Sequence, residues 1–92
     1  MNTLTPDDLA ALVDRFETFR ATRAARLARL VADPETDNED EREALSDEED
    51  ELCALIGRGE PTRIGGTLYR VCPSVQGVRL LEVQEGRRWV PA

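Results

Sequence analysis

The chain has no histidine and no lysine, and its twelve basic residues are all arginine. The missing histidine removes the commonest general base near neutral pH and the commonest metal ligand. Ser-His-Asp triads, Cys-His pairs and histidine-based zinc sites are therefore excluded within one chain. Glycine is absent before Gly57, and all six glycines follow that point. Aromatic residues are scarce: Phe16, Phe19, Tyr69 and Trp89 are the whole set, so aliphatic contacts must carry the packing. The two cysteines, Cys53 and Cys72, are too few and too far apart for a disulfide framework or a CxxC redox pair. Reduced thiols in a cytosolic setting are expected. Cys53 sits among acids, which disfavour the thiolate a nucleophile needs. No window reaches the ~18 apolar residues that span a bilayer. The stretch Met1-Asn2-Thr3-Leu4-Thr5-Pro6-Asp7-Asp8 lacks the basic and apolar regions of a signal peptide. A cytoplasmic protein without a membrane partner is expected.

What is present divides at Gly57-Arg58-Gly59-Glu60-Pro61. Before it lie helix-favouring Leu, Ala, Glu, Asp and Arg; after it lie the glycines, the only Tyr and Trp, and most of the Val. At 92 residues the chain is read as one domain of α+β class. Residues 1–57 form an antiparallel, coiled-coil-like helical hairpin, and residues 58–92 a small antiparallel β-meander of three or four short strands.

The first helix begins at Thr5, an N-cap, with Pro6 at the first helical position and Asp7 and Asp8 where the helix dipole favours anions. Leu4 and Leu9 have hydrophobic-staple spacing. Leu9, Leu12, Val13, Phe16, Phe19, Leu27, Leu30 and Val31 then recur at threes and fours on one face, interrupted by Arg20 and Arg23. Asp33-Pro34 stops the pattern near residue 32. The second helix ends at Gly57 or Gly59 in the left-handed conformation. Two starts have capping-box spacing, Thr36-Asp37-Asn38-Glu39 and Ser46-Asp47-Glu48-Glu49. The earlier is favoured by the stripe Glu41, Ala44, Leu45, Glu48 and Leu52; a disordered acidic linker to residue 45 is the alternative.

A turn centred near residue 36 sets Leu27 against Leu45, Phe16 against Ile56 and Arg20 beside Leu52. It also sets Arg23 opposite Glu48 and Glu49, so that the arginine breaking one stripe meets the acids breaking the other. Such a pair fixes register more than it stabilises. A second helix shorter than the first leaves the N-terminal third of the first as an overhang. Leu9, Leu12, Val13 and Phe16 are accordingly the candidate interface, covered by the meander or by a second subunit.

In the second half, Ile64-Gly65-Gly66-Thr67 reads as a two-residue hairpin with positive φ at both glycines. Thr67–Cys72 and Val78–Val83 read as strands, with a loop through Gln76-Gly77 between them. Glu85-Gly86 reads as a turn and Arg88-Trp89-Val90 as a short last strand.

Net charge is −7, and residues 33–56 hold twelve carboxylates and one arginine. Crowded like charges are expected to raise many carboxyl pKa values, so that stability grows as pH falls from about 7 toward 5. Paired carboxylates for catalysis need a cleft that pushes two pKa values apart, which solvated helix acids lack. Asp37, Glu39, Glu41, Glu43 and Glu48 imitate calcium-loop spacing, but Arg42 stands where the loop requires Gly. Arg87-Arg88-Trp89 combines cations with an aromatic, as single-strand nucleic-acid sites do; a closing strand with Trp packed on the sheet is the plainer reading. Gly65-Gly66 has no GK[ST] and is a turn, not a phosphate loop.

No catalytic site, cofactor site, metal site or small-molecule substrate is legible. The expected function is a non-enzymatic protein-interaction or assembly module, with a second copy of the chain as one partner and no direct nucleic-acid contact. The alternative is an acidic decoy that occupies the basic site of a nucleic-acid-binding protein.

Overall fold

The computed structural model describes residues 5–57, 59–73 and 80–92. Helix α1 spans Pro6–Ala32, a single 3₁₀ turn Pro34–Thr36 follows, and helix α2 spans Glu39–Ile56. Four strands complete the chain: β1 Thr62–Ile64, β2 Thr67–Val71, β3 Leu81–Glu85 and β4 Arg88–Pro91. The architecture is the α+β arrangement expected, a helical hairpin followed by an antiparallel sheet of order β1-β2-β3-β4.

Capping chemistry sets the helix ends. The Thr5 hydroxyl accepts from the Asp8 backbone N–H, and the Asp8 carboxylate accepts from the Thr5 N–H, both at 3.1 Å. Those two Thr5 groups, the backbone N–H first, hold the Asp8 carboxyl below its ordinary range. The Leu4 half of the expected staple lies outside the described residues. Asp33 closes α1 through its N–H to the Arg29 carbonyl at 2.8 Å, and its side chain accepts from Glu35 N–H at 3.1 Å to start the 3₁₀ turn.

The acidic block is helical from Glu39, so the linker alternative does not hold there. Its cap is Asn38, whose side chain accepts from Glu41 N–H at 3.2 Å. Thr36, expected as the cap, instead donates its hydroxyl to the Asp33 carbonyl at 2.8 Å and belongs to the 3₁₀ turn. Gly57 ends α2 with φ 73° and ψ 170°, which is a positive-φ extended conformation and not the left-handed helical one expected. Glycine alone adopts it readily.

Gly65 and Gly66, at φ 59° and 82°, make the two-residue turn that pairs Ile64 with Thr67. The second turn is Gly86-Arg87, one residue later than expected, because Glu85 pairs with Arg88. Gly86, at φ 63°, stands at the first central position, where a type II′ turn takes glycine. Strand β3 begins at Leu81, later than expected; Val78, Arg79 and the Gln76-Gly77 loop lie outside the described residues.

Strand alternation turns Ile64, Tyr69, Val71, Leu81 and Val83 inward, onto Phe16, Phe19, Leu52 and Cys53 of the helices. The Phe16 and Tyr69 rings meet with centroids 4.7 Å apart. Leu12, Val13, Leu45, Ile56 and Val90 pack around this core. The β1–β2 turn presses against α1: a Cβ built on Gly65 would lie 2.8 Å from a Val13 methyl.

The sheet covers the N-terminal end of α1, one of the two covers expected, and the end left open is the other one. Phe16 is fully buried, Leu12 and Val13 are half-buried beneath the sheet, and only Leu9 of that set is substantially exposed. At the closed end of the hairpin Leu27 is 50% exposed and Val31 86%. Arg15–Glu48 and Arg26–Glu41 lie off the expected alignment of the two helices, whereas Arg23–Glu49 lies on it.

Candidate functional site

Arginines on α1 and carboxylates on α2 form a seam along the hairpin. Arg23 donates to Glu49 at 3.2 Å and to the Ala92 carbonyl at 3.0 Å. Glu49 also accepts the Leu81 N–H at 2.9 Å. One arginine and one glutamate thus join both helices to the start of β3 and the end of β4. Glu48, expected to share Arg23, belongs to a different partner. Arg15 holds it with Nε at 3.1 and 3.2 Å and Nη2 at 2.6 Å, and also reaches Glu51. Those hydrogen bonds keep the Glu48 carboxyl below its ordinary range and raise the Arg15 guanidinium.

Nearer the closed end, Arg26 bonds Asp37 at 2.7 Å and Arg29 bonds Glu41. Arg42 reaches the other oxygen of Asp37 at 3.5 Å. Arg20, expected beside Leu52, turns to Glu85 at 3.6 Å. Leu27, expected against Leu45, lies on the other flank of α1, in an open groove with Ala24 and Pro91. Arg15 was not expected in the seam, although its signal was present. It stands eleven residues before Arg26, three helical turns, on the same flank of α1.

The acids on the outer side of α2 are different. Glu39, Asp40, Glu43, Asp47 and Asp50 are exposed and make no ion pair among the described residues. The segment with calcium-loop spacing is regular helix from Glu39 onward, not a loop. Among the described residues no three His, Cys, Asp or Glu side chains gather closely enough to hold a metal ion.

On the outer face of the sheet, Arg70 donates to Glu82 at 2.9 Å and lies 4.4 Å above the Trp89 ring. Trp89 is thus packed on the sheet by an internal cation, while Arg87 and Arg88 are exposed at the turn. Cys53 is buried in the core and Cys72 half-buried after β2.

Among the described residues no helix is long and apolar enough to cross a membrane. No protein-family model matches the chain, and neither a curated protein nor a solved structure matches it.

Proposed function

We propose that the protein is a non-enzymatic interaction module that docks through the closed end of its helical hairpin, with a second copy of the chain as partner. The observation that supports this is the exposed pair Leu27 and Val31. They lie one turn apart on α1, and Ala24 and Ala28 share their face, so a partner helix could approach closely. Leu9 and Leu55, both about half exposed at the open end, are a smaller second patch. A cytoplasmic setting goes with this reading.

Sedimentation at micromolar concentration tests it. The wild type is expected to be dimeric, and Leu27→Glu with Val31→Glu a folded monomer. A wild type that stays monomeric at high concentration removes the homo-oligomeric form of the proposal.

The exposed row on the outer side of α2, without an ion pair among the described residues, favours the second reading, an acidic decoy for a basic site. Salt separates the two. Binding through the acidic row weakens steeply with added salt, whereas an apolar contact at Leu27 and Val31 does not.

A further inference from the structure

Three guanidinium groups line a cleft of about 160 Å³ on one flank of the hairpin. Arg23 and Arg26 come from α1, and Arg42 and Ser46, one turn apart, come from α2. Phe19 and Leu45 supply apolar walls. Glu49 is the single carboxylate in the lining, and it is already committed to Arg23 and to the Leu81 N–H. Asp37 and Glu41 reach the same guanidiniums from outside the lining, so each of the three cations already has a carboxylate partner.

Two of these guanidiniums are already bridged by one oxyanion. Asp37 accepts from Arg26 through one oxygen at 2.7 Å and from Arg42 through the other at 3.5 Å. The second contact is at the outer limit of a hydrogen bond. The Arg42 side chain is more than half exposed and so has room to turn. Arg26 Nε is buried and, among the described residues, makes no hydrogen bond, its ion-pair partner Glu41 standing 3.4 Å away. A buried donor whose partner stands beyond good hydrogen-bond distance has capacity for a better acceptor.

We propose that this cleft binds a phosphate-class oxyanion. The ligand takes over the bridge between Arg26 and Arg42 from Asp37, with Arg23 and the Ser46 hydroxyl as further donors. Planar guanidinium forks match phosphate oxygens in pairs, and a phosphate brings more charge and more acceptor oxygens than the carboxylate it displaces. The site is separate from the docking surface at Leu27 and Val31 and does not depend on it.

The test is a titration of ¹⁵N-labelled protein with inorganic phosphate at constant ionic strength, following the arginine Nε–H signals and the Ser46 amide. Saturable shifts at Arg26, Arg42 and Ser46 are expected. Arg42→Ala, an exposed substitution whose intact fold is read from the same spectra, is expected to weaken binding at least about tenfold. Arg87→Ala, at the distant turn, is expected to leave it unchanged. Shifts that grow without saturation, shifts of equal size at Arg63, Arg87 and Arg88, or an Arg42→Ala affinity equal to wild type would overturn the proposal.

Discussion

Arg23 interrupts the apolar stripe of α1 because its guanidinium serves three elements at once, through Glu49 and the Ala92 carbonyl. Removing it leaves the Glu49 carboxylate, whose side chain is only 13% exposed, without its cation. Arg23→Ala is therefore expected to lower unfolding free energy by about 1–3 kcal/mol. Arg29→Ala, whose partner Glu41 it meets near the surface, should change it by less than about 0.5 kcal/mol. Denaturant titrations of both variants measure the difference, and equal effects would sink the assigned role of Arg23. Gly65 gives a second contrast. Alanine at Gly66 meets nothing within 4 Å and suffers only its positive φ, a cost of about 1–2 kcal/mol. Alanine at Gly65 suffers that and a clash with Val13, expected to add about 1–3 kcal/mol. Val13→Ala in the Gly65→Ala background should recover the added part; a double-mutant cycle with no coupling would show that the turn does not press on α1.

At the scale of the element, the start of α2 distinguishes two neighbouring residues of similar type. Asn38→Ala removes the cap and is expected to cost about 1 kcal/mol. Thr36→Ala removes one hydroxyl bond within the 3₁₀ turn and should cost less in the same thermal melts. The Arg15–Glu48 link sets a pH dependence. The Glu48 carboxyl is held below its unfolded value of 4.5, so the link stabilises fully above that value and is lost as pH falls through the folded pKa. Asp8 acts in the same direction from 3.8, through its cap on α1. The melting temperature is thus expected to stay level from about pH 7 to 5 and to fall below it, and Arg15→Ala should flatten that fall. A melting temperature that climbs on mild acidification would instead mean that repulsion within the acidic block dominates.

These elements also show what was legible before the structure. The Thr5 cap, the Pro34 stop and the Gly65-Gly66 turn are local rules, decided by residues within four positions of each other. Helix offset is not local. It depends on how Phe16, Phe19 and Leu52 seat against Tyr69 and Leu81, and in that packing Glu48 meets Arg15 while Arg23 keeps Glu49. The arginine cleft is not legible along the chain, where Arg42 is a lone cation in an acidic run; only the hairpin brings it beside Arg23 and Arg26.

For the whole molecule, the single tryptophan has a use. Trp89 sits on the outer face of the sheet with the Arg70 guanidinium above its ring, while the far-ultraviolet circular dichroism signal comes mostly from α1 and α2. Fluorescence therefore watches the sheet and dichroism watches the hairpin, with no label added. A four-stranded sheet of three- to five-residue strands is marginal alone and here borrows its core from the helices. Its melting should then coincide with that of the hairpin, as one cooperative transition seen by both signals. Two separated midpoints would mean that the Arg23–Glu49 junction and the shared core do not bind the layers into one unit. In that case the hairpin would survive as an independent helical pair, with the aromatic faces of Phe16 and Phe19 newly open to water.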